Sequence, residues 1–366
     1  MYNRAMKKTL LIFWRVRRSL GYIFLLMVLP IHSAQGALPE WVTEVEEALE
    51  KHLQGPEGLY HTNTSDPSYL SETLTLRMEL ALLRKDKEKF DLLCGYMRKY
   101  FLSPLGLLYW KLDFLGKPVE FSNASIDDLR ALRVLKKAFS LWEDEKYRNL
   151  YALLQDGLFL YNVRDGRLLN GCSWEKRGLL QVYRTFPLSD EFTLSYGDLE
   201  TLRTLGLEDP RWLPVYMGTL GIMSGGLSLG KGIPWTFNIP SEVFSWDKEN
   251  PINSLIYILS LLRVGFLPRE ALDTYREEFG IFGSIRDSRG SENIAVYALF
   301  SLALNEAGYP QESRRVLDRL ESFLLTFQGY EGLLGYLRED EEGISCQAWV
   351  FDNLLALIAA LSAELP

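Results

Sequence analysis

The stretch "PSYLSETLTLRMELALL", residues 67–83, decides the fold prediction. Polar loop residues are followed by a Ser-Glu pair and then by a strongly apolar run, which is typical of a buried helix that starts near Ser71. Glu72 would lie in the first turn, where an acid suits the positive end of the helix dipole and can help to cap the helix. Whether Glu72 has a role beyond capping depends on how many other helices open in the same way.

Six segments of this kind occur along the chain, each with an acid or amide in a polar cluster that opens a long apolar run. They begin at Ser71, Asn123, Ser195, Asn250, Gly290 and Trp349. Between them lie six more highly charged segments with apolar residues at i, i+3 and i+4, the pattern of a helix with one face in water. These segments are residues 39–53, 86–101, 144–161, 209–223, 268–280 and 309–325. The sequence therefore predicts twelve helices in alternation.

This alternation predicts an all-α (α/α)6 barrel, with six buried inner helices inside six outer ones. The inner helices of such a ring run in the same direction, so we expect their polar openings to line a single cleft. Residues 157–194 and 224–249 carry additional Gly- and aromatic-rich material, which we expect to shape the cleft or to pair as short strands. An open α-solenoid of tetratricopeptide-like helix pairs is the alternative, and it predicts a chain of helices that does not close.

The N-terminal 36 residues differ from the rest of the 366-residue chain. They contain six basic residues and no acid, together with an apolar patch that is shorter than the ~20 residues of a membrane span. We interpret residues 1–36 as a signal peptide with cleavage after Gly36, or as an uncleaved N-terminal anchor. Residues 37–366 are expected to form a single, monomeric domain that is secreted, periplasmic or displayed at the cell surface.

Composition and charge exclude several function classes. Of 40 basic residues, removal of the six in the leader leaves 34 against 48 acidic ones, a net charge of −14, which disfavours nucleic acid as a ligand. Three cysteines without a short CxxC spacing suggest neither a disulfide framework nor a zinc site, although they allow one bridge. Only His52 and His61 follow the leader, so carboxylates are expected to do any acid and base chemistry. We expect no metal and no organic cofactor.

Four stretches of the sequence together resemble a known protein family. The chain reads "SETLTLRMELALLRKDKEKFDLLCGYMRKYFLSPLGLLYWKLD", then "NASIDDLRALRVLKKAFSLWEDEKY", and later "SENIAVYALFSLAL" and "VFDNLLALIAAL". Their order and spacing resemble family 8 glycoside hydrolases, in particular the branch found with bacterial exopolysaccharide operons. The resemblance implies hydrolysis of a β-linked polysaccharide, usually β-1,4, with inversion. Glu72 then matches the general acid, and Asp127 matches a carboxylate facing the sugar, with Asp128 beside it.

The catalytic base is where the sequence departs from the family. An Asp that opens the fourth inner helix activates the water in many members, whereas this chain has Asn253 there. Asn cannot accept a proton at working pH. Either Asp247 or Asp127 acts as the base, or Asn253 only positions the water, or the protein binds glycan without cutting it. A non-catalytic glycan-binding or exopolysaccharide-assembly protein is therefore the main alternative, and a helical scaffold for protein partners is a weaker one.

Aromatic and acidic residues near the predicted openings are candidates for sugar binding. Flat rings can stack on sugar faces, and carboxylates can accept hydrogen bonds from hydroxyl groups, although helix-start acids and core aromatics are common without such roles. Besides Asp128, the candidates are Tyr69, Trp110, Tyr196, Asp198, Glu292 and Asp352.

Overall fold

In this computed structural model, residues 38–177, 182–246, 250–340 and 343–364 are described. Twelve α-helices occur in these residues, and they alternate as the sequence predicts. The inner helices are α2 (Ser71–Leu83), α4 (Ser125–Trp142), α6 (Leu199–Glu208), α8 (Pro251–Leu262), α10 (Ile294–Glu306) and α12 (Val350–Ala363). The outer helices are α1 (Glu40–His52), α3 (Lys87–Tyr96, which continues as a π-helical turn, Met97–Phe101), α5 (Glu145–Asn162), α7 (Leu213–Leu227), α9 (Arg269–Phe282) and α11 (Pro310–Leu320).

The inner helices form a closed ring. Each of them packs on the next in chain order, and α12 packs on α2, so that the last inner helix contacts the first. This closure confirms the (α/α)6 barrel and excludes the open solenoid.

Burial separates the two sets of helices as their apolar patterns predict. Residues 294–304 of α10 are all buried, because that helix has neighbours on every side. By contrast, α11 buries Ser313, Val316, Leu317 and Leu320, which follow the i, i+3, i+4, i+7 spacing of a single face. Packing of apolar faces, rather than helix propensity, is therefore what places the helices.

The openings of the inner helices are capped in two different ways. Asp198, Asn250 and Asn293 accept backbone N–H bonds at the starts of α6, α8 and α10. The N-cap positions of α2 and α4 are Leu70 and Ala124, which make no side-chain cap bond. The acids in the first turns of α2 and α4 are consequently available for other partners.

Short antiparallel strands lie in the connections that lead to the inner helices, which confirms that the long loops pair as strands. The pairs are β1 (Tyr69–Leu70) with β2 (Lys111–Leu112), β3 (Val163–Arg164) with β4 (Arg167–Leu168), β5 (Cys172–Arg177) with β6 (Val182–Pro187), and β10 (Tyr336–Asp340) with β11 (Gly343–Gln347). A three-stranded sheet contains β7 (Glu191–Thr193), β8 (Thr236–Asn238) and β9 (Val243–Ser245). Among the helices described above, none is long and apolar enough to cross a membrane.

Candidate active site

A cavity of about 340 Å³ opens where the inner helices begin. Residues at or just before the starts of α2, α4, α6, α8 and α12 line it, together with Trp110 from the loop before β2. The lining includes Glu72, Asp127, Arg130, Ser195, Tyr196, Asn253 and Phe351. Residues from the N-termini of five of the six inner helices thus meet at one site.

Glu72 and Asp127 are brought together by one arginine. Nη1 of Arg130 donates to Oε1 of Glu72 at 2.7 Å and to Oδ1 of Asp127 at 3.2 Å. Because both oxygens share one nitrogen, they lie less than about 6 Å apart, short of the 6.5–9.5 Å that an inverting acid and base need. The side chain of Glu72 is 28% exposed, whereas that of Asp127 is 8% exposed. Glu72 is thus the member of the pair that is more accessible from the cavity.

Asp127 has hydrogen bonds on both oxygens. Its Oδ2 accepts from Oγ of Ser71 at 2.6 Å, and its Oδ1 accepts from Arg130. Burial and the neighbouring charge of Glu72 raise the pKa of Asp127 to about 7, against the opposing effect of Arg130. Asp127 can therefore hold a proton close to neutral pH.

Asp128 does not face the cavity, so the expectation of an adjacent cleft-facing pair is wrong. Its Oδ1 accepts from the backbone N–H of Leu108 at 2.9 Å, and its Oδ2 accepts from Nδ2 of Asn123 at 2.6 Å. Burial raises the pKa of Asp128 to about 8. The successive residues 127 and 128 point to different sides of α4 because a helix turns by about 100° per residue. Asp128 fastens two loops to the barrel.

Asn253 lies in the cavity at the start of α8, as expected. Its Oδ1 accepts a hydrogen bond from Oγ of Ser195 at 2.8 Å. The amide NH2 group is then left to donate, which suits a sugar hydroxyl or a water but supplies no base. Asp247, the other candidate base on this connection, lies outside the described residues.

Trp110 and Tyr196 line the cavity and remain candidates for sugar contacts. Burial, followed by the charges of Asp127 and Glu72, raises the pKa of Tyr196 to about 12, so its hydroxyl stays protonated beside the two acids. Both rings are partly exposed.

Four other candidate sugar-binding residues are held elsewhere. Tyr69 is 1% exposed and packs against the ring of His61, with centroids 5.6 Å apart. Glu292, at the opening of α10, is occupied by an ion pair with Arg319 at 2.8 Å. Glu292 precedes α10 and Arg319 lies on the outer helix α11, and residues at the start of α10 do not line the cavity.

Asp198 and Asp352 are also buried away from the cavity lining. Asp198 caps α6 and pairs with Arg133, which lowers its pKa despite burial. Burial raises the pKa of Asp352 to about 7. A hydrogen bond to Tyr336 lowers this pKa and the charge of Glu72 raises it, each by less than burial does. Its Oδ2 makes no hydrogen bond to the described residues. Glu72 is thus close enough for its charge to raise the pKa of Asp352, although Asp352 does not line the cavity.

Sequence reasoning missed Arg130, Ser71 and Ser195 as site residues. The sequence could have predicted Arg130, because an arginine three residues after Asp127 lies on the same face of the helix, in a segment otherwise rich in Leu and Ala. No sequence pattern marked the two serines as site residues, since Ser is common at helix N-termini. In the described part of the chain, no group of three or more His, Cys, Asp or Glu side chains could hold a metal ion.

A second, larger cavity of about 450 Å³ lies between α1, α2 and α12. Its rim carries the surface ion pairs of Arg84 with Glu46 and of Lys89 with Glu50. We place the candidate active site in the smaller cavity, because only that one gathers the helix openings and the two partly shielded acids.

Comparison with known proteins supports the fold. No protein-family model matches the chain. A Bacillus subtilis (strain 168) protein named "Putative lipoprotein YdaJ" is 26% identical over 322 residues, which cover 84% of this chain and 83% of that protein.

Solved structures of the same architecture cover most of both chains. A novel alpha-amylase from Clostridium perfringens is 21% identical with a TM-score of 0.76, covering 91% of this chain and 99% of that one. PssZ from Listeria monocytogenes is 15% identical with a TM-score of 0.66, covering 86% and 94%. The endoglucanase Cel10 from Klebsiella pneumoniae, a family 8 glycosyl hydrolase, is 17% identical with a TM-score of 0.58, covering 86% and 98%. The chain therefore has the fold of the family 8 glycoside hydrolases, and the resemblance found in the sequence is confirmed at the level of the fold.

Proposed function

We propose that the protein is a glycoside hydrolase that cleaves a β-linked, β-1,4 polysaccharide or exopolysaccharide, with Glu72 as the general acid. The observation that carries this proposal is the pairing of Glu72 with Asp127 through Arg130, in a cavity at the openings of the inner helices. The fold is shared with endoglucanases, and carboxylates are the acids and bases that glycoside hydrolysis commonly uses.

Glu72 suits the role of proton donor better than Asp127. Arg130 occupies Oε1 of Glu72, whereas Oε2 has no hydrogen bond from the described residues and can present a proton to a leaving oxygen. Both oxygens of Asp127 already accept hydrogen bonds, which favours a carboxylate that orients or stabilises the sugar.

An inverting mechanism then needs a base other than Asp127. The separation of Asp127 from Glu72 is too short to leave room for a water across the sugar. Asn253 cannot take a proton, although its amide can position a water. We therefore propose Asp247 as the base, with Asn253 holding the water.

The test is release of reducing ends by residues 37–366 on β-glucans, xylan, chitosan, bacterial exopolysaccharides and starch. Starch is included because one similar structure is an alpha-amylase, which makes an α-glucan the second candidate substrate. We expect Glu72→Gln to lower kcat by at least about 100-fold, the size of a general acid contribution. Asp247→Asn should do the same, and the anomer released first, followed by proton NMR, should be inverted.

Two outcomes would contradict parts of this proposal. Full activity of Glu72→Gln would remove Glu72 as the acid. Glycan binding without release on any substrate would favour the non-catalytic glycan-binding or assembly protein.

We also propose that the protein is exported by residues 1–36 and acts as a monomer. The lipoprotein name of the Bacillus subtilis relative supports export. Fractionation of cells that express the full chain, N-terminal sequencing of the product and light scattering test the two statements. A full-length product in the cytoplasm would contradict export.

A further inference from the structure

We infer that Arg130 is a positioning residue, which holds Glu72 and Asp127 at a fixed separation and leaves Oε2 of Glu72 as the oxygen that carries the transferable proton. The kinetic part of this inference rests on the proposed hydrolase function. The structural part, the control of the two carboxyl groups by one guanidinium, can be measured without a substrate.

Arg130 is placed within reach of both acids. It lies three residues after Asp127 on α4, so its side chain follows the same face of the helix and is 9% exposed. From there Nη1 reaches Asp127 on its own helix and Glu72 on α2, the neighbouring inner helix. A single planar group thus bridges two elements of the barrel and fixes the acids relative to each other.

Hydrogen bonds are divided unevenly between the two acids. Ser71 occupies Oδ2 of Asp127 at 2.6 Å, and Arg130 occupies Oδ1. On Glu72, Arg130 binds Oε1 only. The guanidinium therefore orients the Glu72 carboxyl group, with Oε1 bound to Arg130 and Oε2 without a hydrogen bond from the described residues.

Arg130 also balances the charge of the two acids in a largely buried cluster. Two acids within about 6 Å repel each other strongly when buried, and a cation between them offsets that repulsion. Burial opposes the charge of Arg130, but Glu72 and Asp127 outweigh it and raise the pKa of Arg130. The guanidinium consequently stays charged throughout the working pH range.

Other charged or titratable groups lie close enough to this cluster to interact with it electrostatically, and they belong to the expected pH dependence. They are Asp128 and Arg133 on α4, Tyr196 before α6 and Asp352 on α12. Arg133 is already paired with Glu79 and Asp198, so it does not replace Arg130. Arg130 is the cation that makes hydrogen bonds to both acids among the described residues.

Two variants separate charge from geometry. Arg130→Met keeps much of the volume and removes the charge, whereas Arg130→Lys keeps the charge but loses the planar fork. Arg84→Met, on the surface pair with Glu46, is the matched control, since it removes an arginine that does not line the candidate active site. Circular dichroism and urea unfolding show which variants are folded.

The substrate-free measurement is a carbon-13 NMR titration of protein labelled at the aspartate carboxyl carbon, with Asp127 assigned from Asp127→Asn. In Arg130→Met we expect the pKa of Asp127 to rise by at least about one pH unit, because the opposing cation is lost. In Arg130→Lys and Arg84→Met it should change by less than about half a unit. An unchanged titration in folded Arg130→Met would overturn the inference.

The kinetic measurement uses whichever substrate the wild-type protein hydrolyses. For Arg130→Lys we expect kcat to fall at least about tenfold with little change in KM, because the acid is misplaced while the cavity is kept. Wild-type kcat in folded Arg130→Lys would overturn the positioning role. If the wild-type protein hydrolyses nothing, the proposed function fails, and the NMR titration still decides the role of Arg130. If Arg130→Met does not fold, Arg130→Lys provides the decision through kcat.

Discussion

Replacement of Arg133 by methionine should destabilise the protein more than any single surface change. Nη2 of Arg133 lies 3.1 Å from Oε2 of Glu79, and Nη1 pairs with Asp198. The three side chains are only 8%, 14% and 6% exposed. Removal of the cation would therefore leave two carboxylates buried without their main partner.

The magnitude follows from the pKa of Glu79. Burial alone would raise it, yet Arg133, then Arg263 and Lys137, lower it from 4.5 to about 2. At about 1.4 kcal/mol per pKa unit this lowering corresponds to about 3 to 4 kcal/mol of stabilisation at neutral pH. The loss expected on breaking a buried pair is of similar size, about 3–5 kcal/mol, and we expect Arg133→Met to lie in this range.

Urea unfolding, followed by tryptophan fluorescence at pH 7 and pH 5, measures this loss. In the wild-type protein the lowered pKa of Glu79 contributes stability above about pH 4.5, and that stability is lost only as the pH falls towards about 2. In the variant the unpaired acids should bind protons more readily, so the deficit should shrink from pH 7 to pH 5. Arg148→Met is the control, because its partner Glu145 and Arg148 are each more than 60% exposed, and it should cost less than about 0.5 kcal/mol. An Arg133→Met variant within about 1 kcal/mol of wild type at pH 7 would refute the reasoning.

Two further predictions concern α4, α5 and α7. Gly157→Ala should lower the melting temperature although alanine favours helices, because the added Cβ would lie 2.4 Å from the carbonyl oxygen of Gly106 and 2.6 Å from that of Leu105. Gly221→Ala, where a Cβ meets nothing within 4 Å, should instead add up to about 1 kcal/mol, and equal effects of the two variants would contradict the packing argument. Asp128→Asn should flatten the pH dependence of unfolding: burial raises the folded-state pKa of Asp128 to about 8, so wild-type stability falls as the pH rises from about 4 to 8. A variant with the wild-type slope in urea titrations over this range would show that Asp128 does not titrate as expected.

Local patterns were enough to predict the helices of the fold. A helix that buries one face or more needs apolar residues in each of its turns, so burial can be predicted from the local sequence. The apolar run after Ser71 and the i, i+3, i+4 stripe of residues 309–325 are examples. The placement of Glu72 and Asp127 in one cavity also followed from the pattern, because parallel inner helices bring their first turns to the same end of the barrel.

What the tertiary structure decided is which polar side chain meets which partner. Glu292 and Asp198 also lie near the starts of inner helices, yet they are paired with Arg319 and Arg133, which come from other helices. Adjacent Asp127 and Asp128 differ only in the side of α4 that each faces. Such pairings join residues 20 to 65 positions apart in the chain, and no local pattern in the sequence predicts them.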